Sequence, residues 1–336
     1  MDSRDFLVSG SAVASGQAAS GGSASLDAGA KPAAGTSTEK GGPLSTGGTR
    51  LIPIAGGKYR VWTKRVGDSP IKVLTLHGGP GFSHLYLECF EDFLPAAGIE
   101  FYYYDQLGSL FSDNPDDPSL WTLERYTEEV EEVRKALGLE NFYLYGHSWG
   151  GMLAYEYALK YGWSLKGMIV SNMVPSIADY GQYVNRLREG FPPDIVRTLA
   201  QYEAKGDYEA PEYQQIMFEH LYARHLCRVD PWPPPLEEAF KFANNKIYNY
   251  IQGPNEFVVT GTMQDWDRWA DLKKIQTRTL VMGATYDTMD PQAMRRVARE
   301  MPHARAAISE RGSHLTMYDD QDWYFRELIG FLKENG

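Results

Sequence analysis

The chain has 336 residues, 43% of them hydrophobic, and a formal net charge of −11. That length and composition suit one large globular domain with room for an inserted lobe, and the acidic balance, with no Lys/Arg-rich run, argues against nucleic acid or an anionic membrane as a partner. The two cysteines, Cys89 and Cys227, make neither a metal-ligand pattern nor a disulfide framework, and no apolar run approaches the roughly 20 residues of a membrane-spanning helix.

In chain order, residues 1–49 come first, rich in Gly, Ala and Ser, with almost no large apolar side chain after Val13. Such a stretch buries too little surface to offset its chain entropy, so a flexible tail is expected. Its start, "DSRDFLVSGSAVASG", is similar to a twin-arginine export leader, with Arg4, Phe6 and Leu7 in place and Ala12-Val13-Ala14 as a small-residue cleavage site. Ser3, however, stands where the first arginine belongs. The expected location is therefore cytoplasmic, with the periplasm as the alternative if the leader functions.

From Leu51 the pattern changes. "KYRVWTKRV" alternates and predicts an antiparallel strand, while "IKVLTLHGG" and "IEFYYYDQLG" are continuous apolar runs that predict central strands. "LERYTEEVEEVRKALGL" has helical spacing, with acids early and Arg134 and Lys135 late, an order that suits the helix dipole. Then follow "NFYLYG", a helix, "LKGMIVSN", a long interruption, "TRTLVMGATYD", a helix over Pro291 to Met301, and "ARAAISERGSH". Strands alternating with helices predict an α/β fold with a mostly parallel central sheet, its core formed by residues 50–174 and 272–336. The interruption, residues 175–271, is dense in aromatics and reads as an inserted helical cap; most of its rings are expected to pack it down, a few to line the groove beneath.

Gly146-His147-Ser148-Trp149-Gly150 matches G-x-S-x-G between a predicted strand and a predicted helix, where a sharp turn exposes the serine at the sheet's edge. A serine hydroxyl needs a base and an orienting carboxylate. Of the seven histidines, His77 and His84 lie upstream, His147 is in the turn, His220 and His225 are in the cap, and His303 ends a helix. His314, just after the last strand, is the predicted base. Asp287, at the end of "LVMGATYD", is the predicted acid; Asp290, before Pro291, competes but looks like a helix cap. The order Ser148, Asp287, His314 is that of the α/β-hydrolase arrangement. The oxyanion donors are expected to be the backbone N–H groups of Trp149 and of Gly79 in "HGGPG", with Gly78 as the alternative.

The phrases "LHGGPG", "YYDQLGS", "GHSWGG", "RHLCRVDPWP", "GPNEF", "YDT" and "GSHLTMYDDQ" span nearly everything from Leu51 onward and resemble the proline iminopeptidase family of α/β-hydrolases. The resemblance implies the same triad, a cap over the site, no metal or organic cofactor, and removal of an N-terminal proline or other residue from short peptides. It further implies that Glu256, in "GPNEF", receives the substrate's free amino group and that Tyr248 helps to line the site. Thr288 occupies the position where some relatives carry a second glutamate. A hydroxyl brings no charge there, so amino-acid amides, aryl amides or esters are alternative substrates. A binding protein without turnover is the remaining alternative, disfavoured because every catalytic position is filled.

Overall fold

The computed structural model describes residues 46–334. The leader-like start and most of the expected tail lie outside the described residues. The first strand begins slightly earlier than the boundary read from composition: Thr49 already belongs to it, and Gly48 accepts a hydrogen bond from Arg65 N at 3.0 Å.

Strands β1 (Thr49–Ile54), β2 (Tyr59–Val66), β3 (Lys72–Leu76), β4 (Glu100–Asp105), β5 (Phe142–His147), β6 (Leu165–Ser171), β7 (Thr279–Ala284) and β8 (Ala304–Ser309) form one sheet in the order β1-β2-β4-β3-β5-β6-β7-β8. The pairings β1–β2 and β2–β4 are antiparallel, and the others are parallel. Strands β4, β5 and β7 are buried at every position, which is why they read as unbroken apolar runs rather than alternations. Strand β1 has no counterpart among the predicted elements. It buries only Ile52 and Ile54 and carries Pro53 between them, a pattern that fits an edge strand and gives a weak sequence signal.

The helices are α1 (Leu123–Leu137), α2 (Trp149–Tyr161), α3 (Ile177–Glu189), α4 (Pro193–Glu203), α5 (Pro211–Met217), α6 (Pro234–Lys241), α7 (Asn245–Ile251), α8 (Pro291–Glu300), α9 (Thr316–Asp319, a single turn) and α10 (Gln321–Lys333). Helix α1 starts where the Thr122 hydroxyl accepts from Arg125 N at 3.2 Å, and stops at Gly138, whose φ of 67° lies in the left-handed region. Helix α2 packs on β3, β5 and β6, and α8 on β7 and β8. Helices α3 to α7 all fall between β6 and β7, joined by a π-helical stretch over Phe218–Leu226, with no named strand among them. Among the described residues no helix is long and apolar enough to cross a membrane.

Aromatic contacts lock α10 to the sheet domain. Phe325 stacks on Phe93 with centroids 4.0 Å apart and planes 5° from parallel, and meets Phe90 edge-on at 5.2 Å. Phe325→Ala is therefore expected to lower unfolding free energy by about 3–5 kcal/mol. Trp163→Ala, at a ring 76% exposed, is expected to change it by no more than about 0.5 kcal/mol. Denaturant unfolding of the two variants measures both.

Candidate active site

Because β3, β5, β6, β7 and β8 run parallel and side by side, the loops that leave their C-terminal ends line up along one edge of the sheet. Each loop carries a polar or glycine residue of interest: Gly78 and Gly79 after β3, Ser148 after β5, Asn172 after β6, Asp287 after β7 and His314 after β8.

Ser148 sits at φ 54°, ψ −125°, between the last residue of β5 and the first of α2. A non-glycine residue in such a conformation costs of order 1–3 kcal/mol and is held only by its surroundings. Here the surroundings are tight. Ser148 N donates to Ser171 O at 3.0 Å, and Ser148 O accepts from Gly151 N at 2.7 Å. A Cβ on Gly146 would lie 2.1 Å from the Gly150 carbonyl oxygen, and one on Gly150 would lie 2.2 Å from that of Leu76. The two glycines of the motif thus allow strand, turn and helix to touch, and the serine side chain is left half-buried on the wall of a cavity.

The glycine turn after β3 approaches closely: a Cβ on Gly78 would fall 3.0 Å from Ser148 Cβ. Gly78 N–H is already donated to Tyr86 Oη at 2.6 Å. The Gly78 carbonyl is fixed as well. His77 Nε2 accepts from Gln106 N at 3.1 Å, so His77 Nδ1 carries the proton and donates it to Gly78 O at 2.8 Å. Burial pulls His77 down to about 4, which keeps this tautomer neutral. In a trans peptide the N–H points opposite to the C=O, so anchoring Gly78 O fixes the direction of Gly79 N–H. Of the two glycines weighed from sequence, Gly79 is the one whose N–H is not consumed by Tyr86. Gln106 also ties this turn to the next: its Nε2 donates to His77 O at 3.0 Å, while its Oε1 accepts from Trp149 Nε1 at 2.9 Å.

His314 is 4% exposed and on the same cavity wall as Ser148, and its Nδ1 lies 2.8 Å from Asp287 Oδ1. Burial lowers the affinity of this imidazole for a proton, but the Asp287 charge and hydrogen bond outweigh it, with a smaller push from Glu256, and the net shift is above 6.5. Asp287 is fully buried; Oδ1 also accepts from Met289 N at 3.1 Å, and Oδ2 from Asn172 Nδ2 at 2.6 Å. Asp290 is accounted for otherwise: it caps α8 by accepting from Gln292 N at 2.8 Å and pairs with Arg186 at 2.9 Å.

Asn172 was not singled out in the sequence. It is fully buried with φ 55°, and its amide donates to Asp287 Oδ2 and, at 3.3 Å, to Ser313 O. An asparagine just past an apolar strand reads as a turn residue, and only the fold reveals its partner.

The inserted helices face these loops across a cavity of about 760 Å³. Of the aromatic residues in the insertion, Tyr213, Tyr222, Phe240, Phe242 and Tyr248 reach its wall, whereas rings such as Tyr180, Phe191 and Phe257 are buried in packing. Glu256 is on the wall too. Its Oε1 accepts from Tyr248 Oη at 2.7 Å and its Oε2 from Tyr180 Oη at 2.5 Å, and among the described residues no cationic side chain pairs with it. Tyr180, read from sequence only as one of the aromatics of the insertion, holds Glu256 as closely as Tyr248 does. Thr288 corrects an expectation. It was placed on the substrate side, but it is fully buried behind the Asp287–His314 pair, its hydroxyl 3.4 Å from both Asp287 Oδ1 and His314 Nδ1, and it does not line the cavity. The turn that wraps Met289 N back onto Asp287 carries residue 288 inward.

Two consequences are measurable. The His314 imidazole should titrate above 6.5 by NMR, and Asp287→Asn, which removes the main force opposing burial and leaves only the smaller push from Glu256, should move it downward. Gly150→Ala should cost about 1–3 kcal/mol of stability, because the added methyl meets backbone rather than a yielding side chain.

A family model described as the alpha/beta hydrolase fold matches residues 72–321. A proline iminopeptidase of Flavobacterium johnsoniae is 46% identical over 290 residues, which cover 84% of this chain and 98% of the relative. Among solved structures, VinJ superposes with a TM-score of 0.80 at 33% identity, covering 87% of this chain and 99% of that one. The proline iminopeptidase of Mycobacterium smegmatis superposes at 0.78 with 29% identity, covering 84% and 97%.

Proposed function

The chain belongs to the proline iminopeptidase family of α/β-hydrolases and is a hydrolase, and from that premise we propose that it removes an N-terminal residue, proline foremost, from short peptides or amino-acid amides. The observation that carries this reading is Glu256, a carboxylate on the same cavity wall as Ser148 and His314, held by two tyrosine hydroxyls and, among the described residues, paired with no cation. The phenols of Tyr180 and Tyr248 are pushed well above their usual range, first by burial and then by the Glu256 charge, so both stay protonated and donate. Neutral donors fix the carboxylate and leave its charge for a ligand ammonium, an interaction worth roughly 1.5–3 kcal/mol. Amine recognition rests on Glu256, since Thr288 lies off the cavity.

In this mechanism Ser148 Oγ attacks the carbonyl carbon while His314 Nε2 takes its proton, and Asp287 stabilises the resulting imidazolium. The N–H groups of Gly79 and Trp149 receive the oxyanion, the second aided by its place at the start of α2, where negative charge is favoured. His314 returns the proton to the leaving amine, the C–N bond breaks, and an acyl-enzyme remains on Ser148. Water, deprotonated by the same imidazole, releases the amino acid and restores the serine.

Ser148→Ala should abolish both turnover and labelling by a serine-directed phosphonate, read by mass spectrometry. Glu256→Gln should lower kcat/KM on a proline arylamide by about 10–100-fold, the range that the loss of one charge-assisted bond predicts. The N-acetylated arylamide should be cleaved poorly by the natural protein; equal rates on the free and acetylated forms would remove the role given to Glu256. The base acts when neutral, so kcat/KM should rise with pH through an apparent pKa above 6.5, and Asp287→Asn should move that limb to lower pH while depressing the rate.

A further inference from the structure

His147, the residue between Gly146 and Ser148 in the turn, has no part in the reaction as described so far. It is 2% exposed, and both ring nitrogens are engaged: Nε2 lies 2.9 Å from the backbone oxygen of His314, and Nδ1 lies 3.1 Å from Tyr86 Oη. The protons on this chain follow from elementary bonding. A carbonyl oxygen only accepts, so Nε2 must carry the proton. In a neutral ring Nδ1 then accepts, so Tyr86 must donate its O–H to it. The Tyr86 oxygen in turn receives Gly78 N–H at 2.6 Å. Each link holds one proton, and every N–H and O–H along the chain has an acceptor. Burial holds His147 well below the usual imidazole range and Tyr86 above the usual phenol range, which keeps both groups in the neutral forms the chain needs.

The ends of this chain are not arbitrary. One is the main chain of the base, the other the glycine turn that bears the oxyanion donor, and both border the cavity that Ser148 faces. Asp287 fixes His314 through its imidazole, and His225 O accepts from His314 N at 2.9 Å; His147 supplies the contact to the remaining backbone group. At the glycine turn, His77 fixes the Gly78 carbonyl and Tyr86 fixes the Gly78 amide. Neither tether alone relates the base to the oxyanion turn. The chain through His147 does.

We propose that His147 is a positioning residue of the reaction: together with Tyr86 it couples the backbone that carries the base to the glycine turn that carries the oxyanion donor, so that the two keep one spacing about Ser148. This rests on the active-site reading above. Small misplacements of catalytic groups cost up to about 100-fold in rate, so the coupling is expected to appear in kcat rather than in KM.

The test uses the full chain and a proline arylamide, with kcat, KM, the pH profile and the melting temperature measured together. Tyr86→Phe cuts the link at the phenol. His147→Gln keeps a donor near the Nε2 position and loses the bond to Tyr86; His147→Asn loses the bond to His314. Tyr86→Phe, His147→Asn and His147→Gln are each expected to lower kcat about 10–100-fold with little change in KM, because each breaks one link of the same chain. The double variant Tyr86→Phe/His147→Gln should be no slower than Tyr86→Phe alone, because both cuts fall on one chain. Unchanged kcat in Tyr86→Phe would overturn the proposal, as would independent, multiplying losses in the double variant. If the His147 variants do not fold, Tyr86→Phe decides on kcat alone. A natural protein that neither cleaves the arylamide nor takes up a phosphonate at Ser148 would instead overturn the hydrolase mechanism, and that result is distinct from a failure of the coupling.

Discussion

The backbone at Ser148 cannot relax. Its left-handed φ is disfavoured in isolation, yet the strand before it, the helix after it and the neighbouring turn at Leu76 and His77 are packed so closely that not even a methyl group fits at Gly146 or Gly150. Everything else at the sheet's edge is measured from this bend. The glycine turn after β3 rests against the Ser148 Cβ, Ser171 at the end of β6 receives the Ser148 amide, and His147 reaches sideways to the loop that bears His314. Local strain of this kind persists only where packing over-determines it, and here the packing comes from the buried parallel strands β3, β5 and β6.

The electrostatics of the cavity follow from what is allowed to stay charged there. Burial alone would keep His77 and His147 neutral, and it does. His314 is equally enclosed, but Asp287 reverses the outcome. Three histidines within one small region therefore serve in two different ways, two as fixed hydrogen-bond bridges and one as a group that titrates. Asp287 itself is kept in place by an amide from Asn172 and by the turn at Met289, so the carboxylate that tunes the base has little freedom to turn away from it.

Much of this was legible from residue order. The apolar runs named the central strands, the glycines flanking Ser148 marked the bend, and the position of His314 after the last strand placed it at the same edge as the serine. Asp287 was separable from Asp290 because a carboxylate ahead of a proline caps a helix, and Asp290 does so. What sequence could not supply was contact across the chain. Asn172 and Tyr180 act on residues 115 and 76 positions away, respectively, and nothing in their local pattern announces it. Thr288 shows the opposite failure. Correspondence with relatives that carry a glutamate there placed it near the substrate, but a threonine next to a carboxylate in a tight turn folds inward, where its hydroxyl meets Asp287 and His314. Strand β1 was missed because two buried isoleucines around a proline resemble a loop as much as an edge.

The loop that bears the base is also stitched to the inserted segment. His314 N and Leu315 N donate to the carbonyls of His225 and Leu226, Ser313 Oγ donates to Leu226 O, and Asp319 receives Arg228 N at 2.7 Å on one side and Ser313 N at 2.8 Å on the other. That seam makes the imidazole a passenger of the roof above it. Were the roof to peel away along this side to admit a peptide, it would drag the base off station in the same motion. A closed seam along this side is thereby tied to the station of the base.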